Sequence, residues 1–201
     1  MSLIVTVPAQ TNALTTLDTL KAELQITDAS QDAYLETVIA QASAACARYC
    51  NRRGFGRESL EQTERFVWPR NTITLDRDLE PSIISITENG VALAASNWVL
   101  EGSVLWRTNG GYPCQWYYGA HVVITYTAGF VLVSGLPHDL ERACLIACTA
   151  HVLGRDRDPS IRSEAVEDVG TISYAIPKAG EGVSVPPGSA ALLDPWVLRS
   201  L

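Results

Sequence analysis

The sequence predicts an α+β protein: helices, an inserted small antiparallel β-sheet, and an extended C-terminal tail. Three observations carry this. Residues 31–50 repeat apolar side chains at three-four spacing, and 137–154 are apolar almost all round, which is the pattern of buried helices. Between about Thr63 and Ala128 that spacing gives way to runs of β-branched and aromatic residues, with Asn89-Gly90 set between two of them as a hairpin turn. Last, a Pro/Gly/Ser linker at 177–189 separates the chain from an apolar terminal segment, AALLDPWVLRSL.

Size and composition narrow the classes. A chain of 201 residues is long enough to bury a core without staples. Apolar residues make up 47% and charged residues 18%, so much of the chain lies inside something. The net charge is −7, and the densest basic group is only Arg52, Arg53 and Arg57. Tight duplex binding through phosphates needs a basic face, which is missing. No run reaches the length of a membrane span, and MSLIVTVPAQ lacks the basic start of a signal peptide. Five cysteines without small-scaffold spacing point to reduced thiols.

In chain order, residues 1–13 read as an N-terminal arm. The helical part follows at 14–56. Thr15 and Asp18 resemble a capping box ahead of a short helix carrying Leu17, Leu20 and Leu24. Asp28 or Ser30 caps a second helix from about Gln31 to Cys50, whose alanines let another helix approach closely. Gly54 and Gly56 end the segment. Residues 57–130 form the β-rich insert, with expected strands at FVW, TITL, SIISITENGVAL, NWVLEG, SVLWR and HVVITYTAG. Trp98, Trp106, Trp116, Tyr117 and Tyr118 gather around a glycine-rich loop, either as core or as a contact patch; core is favoured, because burying large rings dominates core energetics.

The segment 131–176 holds the long helix and one more strand, VGTISYAI. Pro137 suits the first helical position, Asp139 and Glu141 suit the positive end of the dipole, and Gly154 is expected to close the helix in a left-handed conformation. Leu140, Cys144, Ala147 and Cys148 make one apolar stripe, while Leu145, Ile146, Val152 and Leu153 cover much of the rest. Such a helix needs two covers, and the second is expected to be another subunit. Ile146 and Leu153 are therefore candidate interface residues, with the fork-forming run Arg155, Asp156, Arg157 and Asp158 beside them; a solvated turn is the other reading of that run. The acidic Glu164, Glu167 and Asp168 lack calcium-loop spacing and read as a solvated face. In the terminal part, 177–201, a sticky peptide on a tether reads as an interaction device. Asp194-Pro195 can start a fresh helical turn within it.

Chemistry is sparse. No nucleophile elbow, phosphate loop, dinucleotide fingerprint or HExxH motif occurs. His121, His138 and His151 are scattered. Cys46 and Cys50 share one helical face, as do Cys144 and Cys148, so two facing helices would be able to gather four thiolates around zinc. Tight packing by a small, buried residue is the preferred reading, with no metal and no cofactor.

The order and spacing of these parts resemble the head–tail connector (adaptor) proteins of tailed bacteriophages, prophages and gene transfer agents. The likeness rests on LTTLDTLKAELQITDASQDAYLETVIAQASAACARYCNR, the insert ending in VVITYTAGF, the entry LPHDLERACLIACTAHVLGRD, and the terminal VPPGSAALLDPW. It implies a helical bundle of connector type and a non-enzymatic structural protein. It also implies a homo-oligomeric ring below the portal protein that extends the DNA channel and offers a surface to the tail-side or stopper protein. The location implied is the virion neck, with the host cytoplasm during assembly. DNA would pass without tight binding, and no membrane is involved. The C-terminal segment would dock on the portal through Leu192, Leu193, Pro195, Trp196 and Leu198. The competing classes are a zinc-stabilised binding module and an accessory DNA-packaging protein.

Overall fold

The polar segment ESLEQTER, which has no obvious strand pattern, forms the strand that joins the N-terminus to the rest of a sheet. The computed structural model describes residues 1–132, 134–155, 163–166, 170–173 and 185–198, and resolves them into two compact units. The first comprises residues 1–11 and 55–135, the second 12–54 and 136–201.

The first unit is built of strands, apart from a 3₁₀ turn at Ala95–Asn97. Its strands are β1 (Ser2–Val7), β2 (Glu58–Arg65), β3 (Thr72–Thr74), β4 (Ser82–Glu88), β5 (Val91–Ala92), β6 (Trp98–Glu101), β7 (Val104–Asn109), β8 (Tyr112–Pro113) and β9 (His121–Ala128). One antiparallel sheet has the order β1-β2-β9-β4-β5, and a smaller one runs β3-β7-β6 with β8 beside β7. Residues of both sheets meet in one core, built from Leu60, Ile73, Ile86, Leu105, Trp116, Val122, Ile124 and Tyr126. The alternation of HVVITYTA is the strongest sequence signal for this packing, and β9 indeed buries every second residue.

The expected strand at FVW belongs instead to β2, eight residues earlier in its start and mostly polar. Leu60 and Gln62 are its buried residues. Gln62 fits the core because its amide is saturated. It donates to the Thr74 carbonyl (2.9 Å) and to Glu64 Oε1 (3.0 Å), and its oxygen accepts from the Asp76 N–H (3.0 Å) and the Tyr126 hydroxyl (3.3 Å). A buried amide with four partners costs little to desolvate. The arm expected at 1–13 includes β1, paired with β2 from Ser2↔Thr63 to Val7↔Ser59. The Asn89-Gly90 turn is present, with φ of 52° and 82° linking β4 to β5.

The second unit holds α1 (Leu17–Leu24), α2 (Asp32–Tyr49), α3 (His138–Leu153) and α4 (Pro187–Leu193), with a hairpin of β10 (Ser163–Val166) and β11 (Gly170–Ser173). The mixed α+β class is as expected. The cap of α1 is Thr16, not Thr15: the Thr16 hydroxyl accepts from the Thr19 N–H at 3.1 Å, while Thr15 is buried. Asp28 accepts from Ser30 in a turn before α2, and neither residue caps the helix. Gly154 ends α3 with φ −84°, in the right-handed region, so the expected left-handed closure is absent. Glycine is needed there for space, since a Cβ would lie 2.9 Å from the Ala150 carbonyl oxygen.

Most of the linker expected at 177–189 lies outside the described residues, and the described part of the terminal segment, expected to be extended, holds a short helix. Pro187 occupies its first turn, where a missing N–H is harmless, and Asp194-Pro195-Trp196 adds the 3₁₀ turn that Asp-Pro promised. Within the unit this helix lies against α2 and α3.

Candidate functional site

Since no catalytic motif is present, the candidate site is a set of surfaces, and the helical unit supplies the first. Leu140, Ala143, Cys144, Leu145, Ala147 and Cys148 of α3 are buried. The second cover, expected from another subunit, comes from α4 over part of the helix: Ile146 is half-buried and reaches 3.9 Å from where a Cβ on Gly188 would stand. The physical reason is proximity. An apolar helix and an apolar terminal segment of one chain meet at far higher effective concentration than two chains do. Leu153 remains exposed. The Arg155 guanidinium lies 4.6 Å from the centre of the Tyr34 ring, a cation–π contact inside the same unit. Asp156, Arg157 and Asp158 lie outside the described residues.

Polar contacts pin the terminal segment. Ser189 is buried and donates to the Ala143 carbonyl at 2.8 Å. The Tyr49 hydroxyl donates to Asp194 at 2.6 Å, Arg52 Nε to the Trp196 carbonyl at 2.9 Å, and the Leu198 N–H to the Cys50 carbonyl at 2.9 Å. Among the docking candidates, Leu193 is fully buried in its own unit, Leu192, Trp196 and Leu198 are half-buried, and Pro195 is exposed. Docking on another protein is thus not what keeps Leu193 from water.

Two of the four helix cysteines interact closely with a third, and the fourth points elsewhere. Cys144 Sγ lies 4.0 Å from Cys148 Sγ and 3.5 Å from the Ser43 hydroxyl, and Cys46 interacts with Cys144 strongly enough to raise its own thiol. Cys50 instead donates to the Leu193 carbonyl at 3.7 Å. The Cys148 hydrogen bond and burial push the Cys144 thiol up to about 12, the Cys144 bond and burial push Cys46 well up, and burial takes Cys50 to about 11. The raised thiols Cys46, Cys50 and Cys144 are buried and protonated, and Cys50 bonds directly to α4. Among the described residues, no three His, Cys, Asp or Glu side chains converge as metal ligands. His121 lies in β9, while His138 and His151 sit at opposite ends of α3.

The β unit supplies the second surface. Trp116 is buried and stacks on Phe66 at 6.1 Å, with ring planes 9° apart. Two loops are laced together around this stack: Arg70 and Trp116 exchange backbone hydrogen bonds of 3.2 and 2.7 Å, and Gly119 N–H donates to the Phe66 carbonyl at 2.8 Å. On the loops they brace, Val67, Trp68, Tyr117 and Tyr118 are all exposed. The aromatic cluster expected as core therefore divides, with Trp116 buried, Trp98 and Trp106 half-buried, and Tyr117 and Tyr118 in solvent. Val67 and Trp68, expected in a strand, lie in a loop, and the Pro69-Arg70-Asn71 that follows them is the local sequence signal of that turn.

The third surface is the pair of sheet edges. β1 has Ile4, Val5 and Val7 exposed and bears no charged side chain. β4, toward the other edge, has Ile84 exposed within a bulge between Ile83 and Ser85.

By architecture this is a two-unit α+β protein whose helices come from both halves of the sequence and whose β unit combines the N-terminal strand with the segment between α2 and α3. Residues 14–89, spanning the first helices and the start of the β unit, match the family model of the phage gp6-like head-tail connector protein. The expected likeness to head–tail connectors is borne out there. The fold is similar to that of solved structures over the whole chain. One is in the neck of an empty GTA particle computed with C6 symmetry (19% identity, TM-score 0.58, 100% of this chain and 98% of that one). A second is in the virion of a native gene transfer agent particle (18%, 0.59, 100% and 98%), and a third in the neck of a native GTA particle computed with C12 symmetry (19%, 0.55, 100% and 98%). No curated protein matches the chain by sequence.

Proposed function

We propose that the chain is a structural head–tail connector, or adaptor, of a phage-like particle: a ring subunit in the virion neck that extends the DNA channel below the portal and joins head to tail. The observation that carries this reading is the connector-family match over residues 14–89. The likeness in fold to chains of GTA necks, computed with six- and twelvefold symmetry, supports a ring. Acidic charge supports a channel that does not hold its DNA: at −7 per chain a ring repels phosphates rather than releasing their counterions.

In this reading the helical unit is the connector-type bundle. Leu153 and the run Arg155 to Asp158 serve contacts between subunits, with Arg155 already shared with Tyr34. The portal contact is narrowed to the parts of the terminal segment that its own unit leaves accessible, Pro195 with the outer sides of Leu192, Trp196 and Leu198. A stopper or other tail-side protein would take the opposite end of the ring. The role is non-enzymatic, and no helix among the described residues is long and apolar enough to cross a membrane.

The test is native mass measurement of the purified chain, alone and mixed with portal-bearing capsids of its own particle. A closed oligomer that co-sediments with capsids is expected, and Leu153→Asp is expected to weaken it while leaving a folded chain. A protein that stays monomeric under both conditions overturns the reading.

A further inference from the structure

We infer that neighbouring subunits of the ring join through their sheets, β1 of one chain adding to the open part of β4 of the next. The inference rests on the ring reading above and names the surface and partner that close it: a second copy of this chain.

An edge strand presents a row of unsatisfied backbone N–H and C=O groups, and soluble proteins usually guard it with charge, proline or cover. β1, at one end of the five-strand order, has none of these within Ser2–Val7. Its side chains are Ser, Leu, Ile, Val, Thr and Val, and five of the six residues are exposed. At the other end, β5 pairs only with Thr87 and Glu88 of β4, so Ser82–Ser85 have no outer strand among the described residues. That stretch is Ser, Ile, Ile, Ser, again uncharged, and Ile84 is exposed.

The two edges match in three ways. First, their free stretches are alike in kind: each is short, uncharged and interrupted by one bulge, which falls between Val5 and Val7 in β1 and between Ile83 and Ser85 in β4. Second, their direction agrees. β1 is antiparallel to β2, β2 to β9 and β9 to β4, so β1 and β4 run oppositely. A second copy placed edge to edge with its sheet facing the same way sets its β4 antiparallel to the first copy's β1, and alternation continues unbroken. Third, their faces agree. Leu3 and Ile83 both pack on the core side of their sheet, so the join extends one apolar face into the next. Such a contact is head-to-tail: each chain offers a different edge to each neighbour, which is the interface type that closes rings rather than twofold dimers. Each strand pair is short, and closure of the ring multiplies many weak pairs into a stable assembly.

The test places one cysteine on each edge of the full-length chain, Ile4→Cys and Ile84→Cys, with the half-buried Cys114→Ser to remove the one accessible native thiol. The protein is assembled, alone or on portal-bearing capsids, and treated with a short bismaleimide whose reach tolerates a small shift in register. The double variant is expected to give a ladder of covalent oligomers up to the full ring. Either single-edge variant gives only background, and the two single variants mixed stop at dimers. A ring of native mass without cross-links overturns the sheet join and leaves the connector reading standing, whereas failure to assemble at all overturns both. As a second measurement, Ile4→Lys, at a position exposed in the free chain, is expected to raise the concentration needed for assembly at least tenfold with unchanged circular dichroism. Unchanged assembly by that variant counts against the join.

Discussion

The Tyr49 hydroxyl donates a 2.6 Å hydrogen bond to Asp194, tying the last turn of α2 to the turn after α4. Asp194 as acceptor holds the Tyr49 phenol above its ordinary value, because losing that proton would set two negative charges together. A group whose folded pKa is raised stabilises the fold below its unfolded pKa and stops doing so as pH rises through the folded one. The contact therefore holds at neutral pH and fails in alkali, above about pH 10. Hydrogen exchange is expected to show residues 187–198 losing protection in that range before the rest of the helical unit. Tyr49→Phe lacks that extra alkaline step and opens somewhat more at neutral pH, by no more than about 1 kcal/mol for an exposed hydrogen bond.

Leu193 is the apolar anchor of the same segment. It is fully buried, and the same helix approaches Ile146 at Gly188. Leu193→Ala is expected to destabilise the helical unit by about 2–5 kcal/mol, the range for emptying a buried leucine site. Pro195→Ala, at an exposed position, changes stability by less than about 0.5 kcal/mol. Urea unfolding of the two variants separates a segment that completes its own core from a free tail, for which both substitutions are silent.

Several elements were legible because local chemistry and tertiary packing agree. α2 reads from its three-four spacing and is found within a residue of its expected ends, β9 reads from strict alternation, and Asn89-Gly90 from its positive φ requirement. β2 was not legible, since the buried Gln62 is satisfied by the distant Thr74, Asp76 and Tyr126, which no local pattern reveals. The two covers of α3 were legible as a need, but the sequence does not say whose residues meet it. An apolar segment behind a linker looks the same whether it docks on a partner or on its own helices. The exposed Trp68 and Tyr118 were hidden for a related reason: a braced loop with outward aromatics has the composition of a core strand.

The cysteines differ enough in burial to be told apart by reactivity. Cys46, Cys50, Cys144 and Cys148 are buried and Cys114 is half-buried. Thiolate is the attacking form, and the raised Cys46, Cys50 and Cys144 supply almost none of it near neutrality. A disulfide reagent at pH 8 is expected to titrate one thiol quickly in the native protein and the remaining four only after denaturation. Chelation leaves the circular dichroism spectrum and the unfolding midpoint unchanged. Stoichiometric zinc, lost together with the fold, would falsify the packing assignment.

Gly129 closes the β unit where β9 leaves the sheet, and its geometry makes a sharper demand than that of any expected turn. Its φ is +100°, its N–H donates to the Leu79 carbonyl at 2.7 Å, and the following Phe130 N–H donates to the Phe55 carbonyl at 2.8 Å. The chain thus passes directly over Gly56, so closely that a Cβ on Gly129 would stand 2.3 Å from the Gly56 carbonyl oxygen. Gly119 has a comparable φ of +78° but open space around it. Alanine at the two positions separates backbone strain from collision. Gly119→Ala carries only the strain of a positive φ, about 1–2 kcal/mol. Gly129→Ala carries the strain and must also push two backbone segments apart, breaking the pairing of Gly56 with Phe130, so its loss is expected to exceed that of Gly119→Ala by about 2 kcal/mol or more. Urea midpoints of the two variants measure the difference, and equal losses would show that the crossing over Gly56 is looser than its geometry requires.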